Sequence, residues 1–200
     1  MFKKKLFIIL FALFVSAYYL GVYSYNLQNS IANKVIRFHV IANSDSNFDQ
    51  ALKLKVRDKT VDFLKPLLSQ CKNINESRMV ISKNIKNIED IAIETLSTYG
   101  NYSVNAKLTN SKFPTKVYSN YSFPAGEYEA LKITIGEGKG ENWWCVMFPP
   151  LCFTDSAVEF PEESVETLKE NLSEKELELI KNSDKPTIKI KFKFLEFLNK

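Results

Sequence analysis

A cluster of three lysines directly before an apolar run is the feature that most constrains how this chain folds. Lys3, Lys4 and Lys5 precede an apolar run over residues 6–20. Positive charge ahead of an apolar stretch keeps the amino end in the cytosol and sends the following chain across the membrane. We therefore predict that residues 1–24 are a membrane-export segment and that residues 31–200 form one exported domain.

Two fates of the export segment fit the sequence. The most apolar part, residues 6–14, is short for a membrane span, and Val15-Ser16-Ala17 is an acceptable cleavage site, which favours a cleaved signal peptide. Continuing to residue 23 gives a run of about 18 residues, which is just long enough for an uncleaved anchor. A buried core helix is disfavoured, because the lysine cluster adjoins the apolar run and the run has no polar face. Cleavage and anchoring remain open alternatives.

Charge elsewhere in the chain is nearly balanced. The formal net charge of the 200 residues is +4, and the three lysines of the export segment supply three of those four charges. The remainder lacks the basic footprint of a nucleic-acid-binding protein, so we expect no nucleic-acid partner. A composition of 45% hydrophobic and 25% charged residues is that of an ordinary globular domain.

Hydrophobic periodicity predicts an α+β domain in the order β-α-α-β-β-β-α-β. The sequence indicates strands over residues 34–42, 102–108, 129–135, 142–148 and 187–194, a further extended stretch over 113–118, and helices over 46–68, 73–98 and 161–181. Residues 122–126 are interpreted as a turn or irregular link. We expect a mostly antiparallel sheet covered on one face by about three helices.

Helix starts and buried faces are predicted from capping boxes and apolar stripes. Ser46 with Asp49, and Asn73 with Glu76, have the spacing of capping boxes. The expected buried stripes are Ala51, Leu54, Val61, Leu64 and Leu68 in the first helix, and Ile81, Ile85, Ile88, Ala92 and Leu96 in the second.

The sequence contains no strong catalytic motif. His39, Cys145 and Asp155 could form a thiol hydrolase, but a single strand histidine is more often a buried structural residue. The glycine-rich residues 136–142 lack the ending of a phosphate-binding motif and read as a loop between strands. Asp45 reads as a turn residue. We expect no catalytic residues, no metal and no cofactor.

Cys145 and Cys152 are the best candidates for a disulfide. Six residues, including Pro149 and Pro150, separate them, and the pair could close a tight reversal outside the cytosol. Sequence leaves bonded and unbonded states equally open. Cys71 would then remain unpaired.

The densest unusual stretch, residues 143–153, contains both tryptophans of the protein side by side. Neighbours on a strand point to opposite faces, so one tryptophan could be in the core while the other contacts a partner. The alternative is that both faces of the strand are covered. The candidate partner-binding residues are Trp143, Trp144, Phe148, Pro149, Pro150, Leu151 and His39.

Several stretches resemble one known family. Residues 36–46, 49–58, 124–131 and 136–153 are similar to the stage II sporulation protein R family of spore-forming Gram-positive bacteria. The resemblance covers essentially the whole domain from about residue 31. Two predicted helices, over residues 73–98 and after Pro161, resemble the family only in their general character and carry no specific motif.

The resemblance implies an exported signalling protein rather than an enzyme. Members are made in the forespore and exported into the space between the two membranes, where they trigger a membrane-embedded aspartic protease of the mother cell. That protease then cuts the inactive precursor of a sigma factor. The resemblance implies no catalytic residues and no small-molecule substrate, with membrane contact through residues 1–24 if these stay uncleaved. A secreted thiol hydrolase and a structural envelope protein remain the alternatives.

Overall fold

A computed structural model describes residues 2–118, 120–151 and 162–181, and it shows an α+β fold. The elements, in chain order, are α1 (Phe2–Ala32), β1 (Ile36–Ile41), α2 (Asn47–Leu68), α3 (Ile74–Lys83), α4 (Ile85–Ser97), β2 (Val104–Phe113), β3 (Lys116–Tyr118), β4 (Tyr121–Phe123), β5 (Gly126–Ile135), β6 (Asn142–Phe148), α5 (Glu162–Asn171) and α6 (Glu174–Lys181). The predicted fold class is confirmed. The strand predicted over residues 187–194 lies outside the described residues.

Helix α1 combines an exposed apolar part with an end that belongs to the domain. By length and composition it could cross a membrane, and its most apolar window is entirely unburied. Its last turn packs on the domain: Gln28 lies against Gly126, and Ile31 is fully buried. The division of the chain at residues 24 and 31 stays a prediction.

The main sheet has the strand order β2-β5-β1-β6. The central strand β1 runs parallel to β5 and antiparallel to β6, while β2 runs antiparallel to β5. The sheet is therefore mostly antiparallel, as expected. Strands β3 and β4 form a separate two-stranded hairpin.

Helices α2, α3 and α4 cover one face of this sheet, which we call the first face. Alternate strand residues, such as Phe38, Val40 and Ile133, point into it and are fully buried. They pack against apolar residues of the helices, including Leu64 and Ile88. This layer is the larger hydrophobic core of the domain.

The described residues cover the opposite face, here the second face, over about half of its length. A second cluster packs there, and it is built from the end of α1, the β3–β4 hairpin, α5 and α6. Its buried members include Ile31, Phe123, Tyr128, Leu168 and Ile180. The expectation of helices on a single face was therefore wrong, because the last turn of α1 and the carboxyl-terminal helices return to cover part of the other face.

Two predicted helices are each divided in two. The helix expected over residues 73–98 is interrupted at Asn84, whose side-chain amide donates to the carbonyl of Val80. Such local bonding competes with the helical backbone. The helix expected over residues 161–181 is broken before α6, where the backbone N–H and the hydroxyl of Ser173 both donate to Glu176. Ser173 and Glu176 have capping-box spacing, a signal that sequence analysis missed.

Two further local predictions were wrong. On α2 the buried stripe runs through Leu52, Val56 and Thr60 to Leu64 and Leu68, at intervals of four residues, whereas Ala51 and Leu54 are exposed. The start of the expected link at residues 122–126 is strand β4, which is stabilised by pairing with β3 rather than by its own periodicity. Both N-terminal caps were predicted correctly: Ser46 accepts from the backbone of Asp49, and Asn73 from that of Glu76.

Candidate functional site

The family-like stretches over residues 36–46 and 136–153 lie side by side in the fold. Strand β1 comes from the first and β6 from the second, and they pair with His39 opposite Trp144. Beyond these strands, the turn at residues 43–46 contacts the loop at residues 136–141. The backbone N–H of Glu137 donates to Asn43 Oδ1 at 3.0 Å, and that of Glu141 donates to Asp45 Oδ1 at 2.7 Å. The two motifs thus build one continuous unit.

Glycine is required where the loop approaches the turn. Gly136 has φ +56°, and a Cβ at this position would lie 2.1 Å from Asn43 Oδ1. A Cβ on Gly140 would lie 2.3 Å from the backbone oxygen of Ser44. The glycines therefore serve close packing between loop and turn, which agrees with reading this segment as a connection between strands.

Asp49, on helix α2, forms hydrogen bonds with the same turn. Its carboxylate accepts hydrogen bonds from Ser44 Oγ, from Asn43 Nδ2 at 2.9 Å and from Tyr102 Oη at 2.9 Å. The bonds from Ser44 and Asn43 hold the pKa of Asp49 below its usual range. The capping and turn role predicted for this residue is confirmed.

The second face contains a row of four side chains that crosses all four strands. Lys107 on β2 is opposite Lys132 on β5, Lys132 is opposite His39 on β1, and His39 is opposite Trp144 on β6. We call these residues the lysine–tryptophan row. It lies at the border of the uncovered half of this face, where Lys107 is exposed and Lys132 and Trp144 are partly exposed.

His39 is the buried centre of this row. Its ring stacks on Trp144 at 5.0 Å with an interplanar angle of 5°, and Phe113 packs against it at 5.2 Å. Nδ1 donates to Asn142 Oδ1 at 3.2 Å, and Nε2 has no partner among the described residues. Burial lowers the pKa of His39 to about 4, helped by the nearby charges of Lys132 and Arg37. The imidazole is therefore neutral at physiological pH.

Arg37 occupies the next row, beneath the covering layer, and is fully buried. Its Nε donates to the carbonyl of Cys145 at 2.9 Å and its Nη2 to Tyr118 Oη at 3.0 Å. The guanidinium carbon lies 4.4–5.7 Å from four ring centroids, those of Phe113, Tyr128, Phe123 and Tyr118. Burial lowers its pKa, but aromatic faces and two acceptors favour the cation. Nη1 has no partner in the described part of the chain.

The predicted partner-binding residues differ in accessibility. His39, Phe148, Pro149 and Leu151 are buried, while Trp143, Trp144 and Pro150 are partly exposed. Their role in binding stays a prediction. The tryptophans point to opposite faces, and both faces are covered there in part.

Trp143 packs in the helix layer. Its ring lies 5.8 Å from that of Phe38, and the guanidinium carbon of Arg57 is 4.9 Å from its centroid.

Cys145 and His39 lie on opposite faces of the sheet. Cys145 is part of the first-face core, whereas His39 points to the second face. A thiolate–imidazole pair between them would need their side chains to cross the sheet. Asp155 lies outside the described residues.

The cysteines differ in state. Cys145 is disulfide-bonded and Cys71 is a free thiol. Cys152 lies outside the described residues, so the pairing of Cys145 with Cys152 stays a prediction.

Among the residues that the structure describes, no group of three or more His, Cys, Asp or Glu side chains is placed to hold a metal ion.

Sequence reasoning missed Arg37, Lys107 and Lys132. Alternation within each strand could have placed both lysines on the polar side, but only the pairing register brings them together. No signal within β1 distinguishes Arg37 from an exposed arginine.

The architecture is that of an α+β domain joined to an apolar helix that could serve as a signal or anchor. The chain belongs to the family described as "Stage II sporulation protein R (spore_II_R)", whose model matches residues 32–158. It is 45% identical over 126 residues to "Stage II sporulation protein R" of Bacillus subtilis (strain 168). The alignment covers 62% of this chain and 56% of that relative, so the chain spans just over half of the relative's length. No solved structure matches the chain.

Proposed function

We propose that this chain is an exported sporulation signal, made in the forespore, that activates a membrane-embedded aspartic protease of the mother cell. The protease would then process the precursor of a sigma factor. Membership of the stage II sporulation protein R family is the observation that carries this proposal. The apolar helix α1, which could be a signal or an anchor, supports export into the space between the two membranes.

The described geometry supports a binding protein over a thiol hydrolase. Cys145 and His39 are on opposite faces of the sheet, and His39 is buried. Three polar residues of the family-like stretches, Asn43, Asp45 and Asp49, form hydrogen bonds within the protein and so hold this turn in place. A rigid surface is what a protein ligand needs, because little ordering is then required on binding.

Activation by a ligand requires unequal affinity for two states of the receptor. This domain would bind the active form of the protease more tightly than the inactive form and so shift the equilibrium. If the two catalytic carboxylates come from two protease chains, the active form would be the assembled one. Crosslinking should then show more protease association when the domain is present.

Co-expression in a non-sporulating host tests the proposal. The full chain, the protease and a tagged sigma-factor precursor are expressed together, and cleavage is followed by immunoblot. Cleavage should need all three proteins and should be lost when a catalytic aspartate of the protease is changed to Asn. Absence of cleavage with all three well expressed would refute the proposed function.

A variant of Cys145 tests the hydrolase alternative. Replacement of Cys145 by Ala removes the candidate nucleophile, whose side chain lies on the first face. We expect precursor cleavage to survive in this variant when circular dichroism shows that it remains folded. Loss of cleavage in the folded variant would instead favour a thiol hydrolase.

A further inference from the structure

We infer that the lysine–tryptophan row is the docking surface for an acidic extracytoplasmic segment of the activated protease. This inference rests on the proposed function, because it names the contact surface and partner chemistry of that same signal. It is carried by four observations: the charge on the second face, the opposed lysines, the aromatic platform beside them and the half of the face that the described residues leave uncovered.

The strand positions of the second face carry positive charge. Its strand positions in the described part of the chain contain Arg37, Lys107 and Lys132 but no Asp or Glu. The acids of β5, by contrast, point to the other side of the sheet, where Glu129 pairs with Arg78 at 2.8 Å. The positive charge is therefore segregated by strand alternation and not neutralised locally.

Lys107 and Lys132 are directly opposite each other on paired strands. Like charges in this position are unfavourable for folding, and no described acid forms an ion pair with either ammonium group. A pair that costs stability and has no partner within the described domain is explained if an acidic partner lies against it. Charge complementarity of this kind also speeds association and selects the partner.

Trp144 and His39 supply a preformed platform next to the lysines. The rings are nearly parallel, and Phe113 packs edge-on to Trp144 at 4.7 Å, so the partly exposed indole is held in place from below. A partly exposed, immobilised tryptophan is a typical binding anchor. The buried imidazole is neutral, so it adds no charge to the lysines.

The uncovered strip of the second face has a structural boundary on each side. On one side the second cluster buries Arg37 and Tyr128. On the other side the loop at residues 136–140 closes over the sheet, since a Cβ on Gly138 would meet Thr134 and Ile41. An extended acidic segment laid across the strands fits this strip. A second copy of the same face would repeat the positive charge and is disfavoured.

Charge reversal tests the inference in the full chain. Lys132→Glu would place a glutamate opposite Lys107, so the purified protein should keep its melting temperature or gain about 1–3 °C. In the co-expression assay, the same variant should lower precursor cleavage at least tenfold, and Lys107→Glu should act in the same direction. Lys59→Glu, the same charge change on an exposed position of α2, is the matched control and should leave cleavage within twofold of wild type.

The outcomes distinguish this inference from the proposed function. Cleavage by the wild type shows that the proposed function holds, whatever the variants do. Undiminished cleavage with Lys132→Glu and Lys107→Glu would overturn the docking surface alone. An equal loss with Lys59→Glu would also overturn it, because the effect would then be one of net charge. Binding of the wild type, but not Lys132→Glu, to phosphatidylglycerol vesicles would identify a lipid surface as the partner and equally contradict the inference.

Discussion

The two faces of the main sheet have different compositions and different neighbours. The first face contains fully buried apolar side chains, such as Phe38 and Ile133, beneath three helices. The second face contains Arg37, His39 and two lysines, and the described residues cover only about half of it. Alternation along each strand keeps the two sets apart, so the residues that stabilise the fold can be separated from those available for recognition.

Truncation of Phe38 is the most direct test of the difference in stability between the two faces. This ring is fully buried in the first face and packs edge-on to Trp143, so Phe38→Ala should lower the free energy of unfolding by about 3–5 kcal/mol. Asn105→Ala, at an exposed position of the second face, should change it by less than about 0.5 kcal/mol. Urea unfolding of both variants measures the difference, and equal losses would show that the faces are not energetically distinct.

Because His39 is neutral in the folded protein, the free energy of unfolding depends on pH. Its folded pKa of about 4 lies below the unfolded value of 6.5, so the unfolded chain binds more protons between these values. Stability is therefore fully present above pH 6.5 and falls by about 3 kcal/mol as the pH drops to 4. Denaturant titrations should show this fall in wild type and a much weaker one in His39→Gln. If the free energy of unfolding of His39→Gln fell with pH as steeply as that of wild type, the low pKa of His39 would be refuted.

The covered half of the second face depends on a buried carboxylate. Burial alone would raise the pKa of Glu176, but hydrogen bonds from Lys34, Ser30 and Ser173 outweigh it and hold the pKa at about 2. The folded value lies below the unfolded one, so this stabilisation is present above pH 4.5 and is lost as the pH falls toward 2.

Glu176→Gln tests the same contact. The variant should lose about 1–3 kcal/mol of stability at pH 7, because the ion pair with Lys34 is lost and the amide of Gln cannot accept all the hydrogen bonds that the carboxylate accepts. It should also lose the pH dependence below 4.5 while keeping that of His39 above it. Thermal unfolding across both pH ranges separates the two groups, and a variant as stable as wild type at pH 7 would contradict this role.

Much of the fold could be predicted because the signals are local. The Ser46 and Asn73 caps and the inward residues Leu131, Ile133 and Ile135 follow from short-range spacing, and the structure places each as expected. The breaks at Asn84 and Ser173 were not predicted, because helical periodicity continues through them while side-chain bonds interrupt the backbone. The β3–β4 hairpin was missed because strands this short are stabilised by each other.

The candidate site was predicted only in part. Trp144 and His39 were identified from composition, but their stacking depends on the register between β1 and β6. Arg37, Lys107 and Lys132 were not predicted as site residues, because charged residues in strands normally face solvent.

By itself the sequence determined the apolar helix, the α+β class and the family, since each depends on residue types at short, fixed spacings. Only the tertiary structure decided that α1 ends inside the domain and that both sheet faces are covered to different extents. Only it placed Lys107, Lys132, His39 and Trp144 in one row. The physical reason is register: strands distant in the chain are aligned by packing and backbone hydrogen bonds, and a shift of one residue would send each side chain to the other face.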